Sequence, residues 1–97
     1  MDPVLHTEQV NGTPADELRI GVASWDEIKK GGAGEQLALK YAWPDKNGRV
    51  ARGGEVPMSA LPQSIEFAVG TGVVGVAEVL EAVARGCRRR ETEVNAG

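Results

Sequence analysis

Lys40, Tyr41, Trp43, Lys46, Arg49 and Arg52 fall in one short stretch, KYAWPDKNGRVAR, and they are the residues of this chain best suited to chemistry with a ligand. Aromatic rings interleaved with cations suit something flat and anionic. The bases of a single strand stack on such rings at about 1–3 kcal/mol each while the cations follow the phosphates. The wider segment from Gln36 to Val69 holds Tyr41, Trp43 and Phe67, three of the chain's four aromatic residues.

Charge is distributed so as to favour that segment. The net charge is −3, yet residues 36–58 carry Lys40, Lys46, Arg49 and Arg52 against only Asp45 and Glu55. Residues 1–35 hold seven acids against three bases, and residues 59–97 five acids against four bases. An acidic total opposes indiscriminate nucleic-acid binding, but a local positive face still attracts phosphate when the acids lie elsewhere.

Other chemistries find no support. His6 is the only histidine and has no acid or nucleophile placed beside it, so it is read as a solvated residue rather than a general base. Cys87 next to Arg88 has a neighbour that favours thiolate, but reactivity needs a pocket and an activating base, and it is read as a small residue at a helix end. No Cys/His spacing suits a metal. Gly70-Thr71-Gly72-Val73-Val74-Gly75 spells GxGxxG, with Ile65, Phe67 and Val69 alternating before it. A dinucleotide site needs a second parallel strand after the helix, ending in an acid for the ribose; here the chain continues RRRETEVNAG. The glycines are therefore read as a link between two helices. The chain is not expected to be an enzyme or to need a cofactor or a metal.

These residues need elements to hold them. A chain of 97 residues, 41% hydrophobic and 26% charged, belongs with small globular domains that bury only about two-thirds of their unfolded surface. Residues 1–16, with Pro3, Pro14 and an Asn-Gly pair, read as a flexible arm. Leu18, Ile20 and Val22 alternate with Arg19, Gly21 and Ala23 as in a half-buried strand. Ser24-Trp25-Asp26-Glu27 has the spacing of a capping box opening a short helix, which the GGAG at 31–34 ends.

A second strand follows, with Leu37, Leu39, Tyr41 and Trp43 on one face and Lys40 on the other. Pro44 stops it, Asn47-Gly48 supplies the positive φ angles of a tight hairpin turn, and Arg49 to Val56 returns antiparallel. Gly53-Gly54 marks a bulge or a close backbone approach in the return strand. Tyr41 and Trp43 share a face with two leucines, so they serve either as core or as a stacking platform; Trp43 is assigned to the core and Tyr41 to the binding set. A helix begins at Ser59 as N-cap, with Leu61, Ile65 and Ala68 turned to the sheet. The last helix carries Val73, Val76, Leu80 and Val83 on one side and ends at Gly86, leaving 88–97 as a frayed tail.

The run YAWPDKNGRVARGGEVPMSALPQSIEFAV resembles the sheet-to-helix segment of PC4-like transcriptional coactivators over about a third of the chain. The resemblance implies a twisted antiparallel sheet backed by a helix, a dimer, and single-stranded DNA held along basic β-ribbons, with Lys40, Lys46, Arg49 and Arg52 at the matching positions. The acidic total, the absence of a basic Ser/Lys-rich arm and the second helix after Gly70-Thr71-Gly72 depart from that pattern.

The expectation is an α+β fold, with a small twisted antiparallel sheet packed against C-terminal helices in a single domain over 17–87. Its function is non-enzymatic binding of single-stranded DNA or RNA, in transcription or replication, through Lys40, Tyr41, Lys46, Arg49 and Arg52. The alternative is a protein-interaction or assembly module that dimerises through Val73, Val76, Leu80 and Val83, without nucleic acid. A homo-oligomer is expected in either case. No apolar run approaches the roughly 20 residues that span a bilayer, the opening MDPVLHTEQVNG lacks the marks of a signal peptide, and one cysteine suits a reducing compartment; the cytoplasm is the expected location.

Overall fold

The computed structural model describes residues 1–25 and 36–96, so the helix entry at Asp26-Glu27 and the glycines at 31–34 lie outside the described residues. The chain forms two units, residues 1–61 and 62–97. The first holds an antiparallel sheet and the second is helical, an α+β composition.

The sheet comprises β1 (Val4–Gln9), β2 (Glu17–Val22), β3 (Leu37–Pro44), β4 (Val50–Arg52) and β5 (Glu55–Pro57). Its order is β1-β2-β3-β4, with β5 also on β3. β2 and β3 pair without interruption from Glu17↔Ala42 to Val22↔Leu37, because both sequences alternate with the period of a pleated strand. β4 and β5 are two pieces of one return strand in a common register, Trp43↔Arg52 and Lys40↔Glu55. The break at Gly53-Gly54 is a close backbone approach: Gly53 has φ 138°, and a Cβ there would collide with the Tyr41 carbonyl oxygen. The register shift itself falls between Trp43 and Pro44.

Three expectations are corrected here. Residues 4–9 are an edge strand rather than part of a loose arm, held by the pairing of His6–Gln9 with Glu17–Ile20. The hairpin turn is a three-residue loop over 46–48 in which only Gly48 has a positive φ, 82°. Asp45 organises it: its Oδ1 accepts the Asn47 and Arg49 amides at 2.8 and 3.0 Å, and its own N–H reaches the Arg49 carbonyl at 2.7 Å. Ser59 lies inside a 3₁₀ turn, Met58–Ala60, and does not cap a helix.

That turn leads into α1 (Leu61–Gly70), a helix through the Ile65, Phe67 and Val69 positions that also alternate like a strand. The link Thr71–Gly75 follows, closed by the Thr71 hydroxyl on the Ala68 carbonyl at 2.9 Å and the Gly72 N–H on the Val69 carbonyl at 3.0 Å. α2 runs from Val76 to Ala96, straight through Gly86 and the arginine run, so neither the C-cap nor the frayed tail expected there exists. Arg and Glu are good helix formers, and Arg89 and Glu93 stand in the i, i+4 relation that supports an exposed helix.

The core is slight. Among the described residues the buried apolar side chains are Val22, Ala23, Ala38 and Ala42, all in the first unit. No described helix is long and apolar enough to cross a membrane.

Candidate nucleic-acid interface

Residues directly opposite in an antiparallel ladder share a face. The registers therefore gather Leu18, Ile20 and Val22 of β2, Leu39, Tyr41 and Trp43 of β3, Arg52 of β4 and Val56 of β5 on one face. Arg19, Lys40 and Glu55 lie on the other. Leu39 and Ile20 are half-buried, whereas Tyr41 and Trp43 are 41% and 42% exposed. Their ring centroids are 6.2 Å apart at 48°, two tilted planes open to solvent on the same side.

The two ends of this aromatic pair differ in charge. At the Trp43 end, Arg52 stands directly across the ladder, and the turn beyond presents exposed Lys46 and Arg49. None of these three cations has an ion-pair partner among the described residues. At the Tyr41 end, the phenol donates to Asp16 Oδ2 at 2.7 Å. That hydrogen bond is the main reason the Tyr41 hydroxyl ionises above its ordinary 10.0, with desolvation and the Asp16 charge acting in the same direction. The corner is thus positive toward Arg52, Arg49 and Lys46 and negative at Asp16.

Lys40 does not join the cluster. It lies on the reverse face opposite Arg19 and Glu55, with Nζ 3.4 Å from the Ala51 carbonyl. That face is an internal polar network. Arg19 bonds Glu17 and reaches across β3 to the Val50 carbonyl at 2.8 Å, a path left open by the small Ala42. Glu55 accepts the Ser24 amide at 3.2 Å, and the N-terminal ammonium bonds Ser24 Oγ at 2.7 Å and lies 3.7 Å from Glu55 Oε1. Burial opposes the Glu55 charge, but the two Ser24 hydrogen bonds, the ammonium and Lys40 outweigh it and hold the carboxyl below its ordinary 4.5.

Of the residues the sequence proposes for binding, Tyr41, Lys46, Arg49 and Arg52 are therefore brought to one corner and Lys40 is not. Trp43, assigned to the core by its leucine neighbours, belongs to the corner. Its place is signalled by Pro44, which ends the strand beside it and leaves the ring at the rim of the sheet. His6 sits exposed on β1 opposite Ile20, and Cys87 is exposed on α2. Among the described residues no group of three His, Cys, Asp or Glu side chains is arranged to hold a metal. The β1–β2 loop encloses an open depression of about 330 Å³ lined by Gln9–Pro14, without an ionisable side chain.

On α2, Val76, Leu80 and Val83 lie along one side and are 57%, 61% and 54% exposed; Val73, in the preceding link, is 79% exposed. Comparison with known protein families, with curated proteins and with solved structures gives no match.

Proposed function

We propose that this protein is a non-enzymatic binding domain that takes single-stranded DNA or RNA on the β3–β4 corner, in the cytoplasm and in the service of transcription or replication. The observation that carries this reading is the exposed Tyr41–Trp43 pair with Arg52 across the ladder and, beyond it, Lys46 and Arg49, which have no ion-pair partner among the described residues. Rings for stacking beside free cations for phosphate are the two components of sequence-tolerant single-strand binding. Binding along a basic β-ribbon is also what the resemblance to PC4-like coactivators implies. Lys40 takes no part, being engaged on the reverse face.

The test is a fluorescence titration of Trp43, in a Trp25→Phe background, with oligothymidylate over a salt series. The expected result is quenching at low salt and an affinity that falls steeply as salt rises. Each phosphate contact contributes about 0.7 to the log–log slope for a single strand, so Arg49→Ala with Arg52→Ala lowers that slope by about 1.4. Trp43→Ala weakens binding by about 1–3 kcal/mol without changing the slope. No quenching at low salt, or an affinity indifferent to both arginines, rejects the reading.

A second reading has its own observation. An apolar stripe more than half exposed along Val76, Leu80 and Val83, with Val73 beside it, suits an assembly module that dimerises or takes a protein partner through α2. Leu80→Asp then lowers the native mass in solution and leaves any oligonucleotide binding unchanged.

A further inference from the structure

We propose that Asp16 makes the β3–β4 corner selective for guanine, its carboxylate accepting the N1–H and N2–H of a base stacked on Trp43. This inference rests on the single-strand reading above and adds a base preference that stacking and phosphate contacts alone do not supply.

The β2–β3 ladder puts the carboxylate beside the indole. Facing pairs run from Val22↔Leu37 to Glu17↔Ala42, and one step further the same register sets Asp16 next to Trp43. The Val10 N–H on the Asp16 carbonyl, at 3.1 Å, ties that position to the neighbouring strand. The side chain of Asp16 lies on the aromatic face, because the Tyr41 hydroxyl reaches its Oδ2 at 2.7 Å. On the opposite flank of Trp43 stands Arg52. A single row across the sheet therefore reads carboxylate, indole, guanidinium, with the two charged residues about 10 Å apart at the backbone, two strand spacings.

A nucleotide has the matching order of groups. Its phosphate is anionic, its base is flat, and the edge of the base away from the sugar carries hydrogen-bond donors. With the phosphate at Arg52 and the ring on Trp43, that edge meets Asp16. A carboxylate only accepts hydrogen bonds and has about four lone-pair sites, of which Tyr41 takes one.

The bases differ in what they offer to such an acceptor. Guanine presents N1–H and N2–H side by side, two parallel donors that fit the two oxygens of one carboxylate as a guanidinium does. Cytosine and adenine present one amino group beside a ring nitrogen that is itself an acceptor. Thymine and uracil present one N–H between two carbonyl oxygens, whose lone pairs face those of Asp16. Guanine is thus the favoured base and thymine the least favoured; thymidylate keeps its stacking and phosphate contacts.

Tyr41 has a second part in this arrangement. Its hydroxyl fixes a half-buried carboxylate that otherwise has several rotamers open to it. Tyr41 is therefore a positioning residue for Asp16 as well as a stacking ring.

The test compares a short labelled thymidylate strand with the same strand carrying one central guanine, by fluorescence anisotropy with the full chain. The guanine strand is expected to bind about tenfold more tightly, the discrimination of a bidentate base contact. Inosine in place of guanine lacks the N2 amino group and is expected to lose most of that advantage. Asp16→Asn keeps the size of the side chain but replaces one acceptor oxygen by a donor, and is expected to bring the two strands to equal affinity. Tyr41→Phe keeps the ring, frees the carboxylate, and is expected to lower the ratio while leaving the affinity for the thymidylate strand unchanged. Equal binding of both strands by the native chain overturns the preference and leaves the single-strand reading standing. Binding of neither strand overturns both. A guanine preference that survives Asp16→Asn and Tyr41→Phe, or that inosine fully reproduces, overturns the role given to Asp16.

Discussion

Glu55 and Tyr41 are acidic groups displaced in opposite directions, and each ties a part of the sheet to pH. Glu55 has a folded-state value below 4.5, so its charged form stabilises the fold above that value, and the contribution disappears as pH falls through the folded value. Glu55→Gln keeps the size and an acceptor for Ser24 but loses the charge. It is expected to lower stability at neutral pH by about 1 kcal/mol and to flatten the acid limb, as read from urea melts over a pH series. Tyr41 is raised above 10.0, so the bond to Asp16 contributes fully below that value and is lost as pH rises through the folded one. Because Tyr41 is the chain's single tyrosine, its tyrosinate absorbance is unambiguous. Asp16→Asn is expected to bring the transition down toward the ordinary value. The sequence shows Tyr41 among cations; the carboxylate that bonds it is separated by the whole of β2 and was not legible as a neighbour. Trp43 teaches a related lesson: alternation states which residues share a face, not which face is covered.

At the scale of elements, burial-based patterning reads what is half-buried and passes over what is not. β2 and β3 alternate and were legible; so was the hairpin, although its loop is one residue longer because Asp45 accepts two amides of the turn. β1 has no apolar alternation, since an edge strand exposed on both sides needs none, and its backbone bonds to β2 define it. Residues 88–93 of α2 are exposed and show no apolar stripe, so RRRETEVNA read as a tail. Its helicity rests on the propensities of Arg and Glu. Gly86 is then the weak point of α2 rather than its end. A Cβ at Gly86 meets nothing within 4 Å, and Gly costs about 1 kcal/mol relative to Ala inside a helix. Gly86→Ala is expected to raise helical ellipticity and stability by about 0.5–1 kcal/mol; a loss of ellipticity would indicate that α2 bends at this position.

For the whole molecule the decisive quantity is how little each unit buries by itself. Among the described residues the first unit's core is Val22 and three alanines, and α1 has no buried residue. Complete burial of a Leu or Phe contributes about 1.5–3 kcal/mol, whereas here Leu37, Tyr41, Trp43, Phe67 and Leu80 keep two-fifths or more of their surface in water. A chain of this size has a small margin to begin with, and leaving its large side chains uncovered removes the main favourable term. Association through the stripe of α2, the second reading proposed above, would restore that term. When subunits associate only in the folded state, mass action makes the apparent stability depend on protein concentration. The unfolding midpoint is therefore expected to rise over a hundredfold increase in concentration, which calorimetry or a dye-based melt measures directly. Leu80→Asp is then expected to make the midpoint independent of concentration, which marks α2 as the face on which the fold depends. A midpoint of the native chain that does not move with concentration means each chain carries its own stability, and the exposed apolar surface then has to be explained by ligand alone.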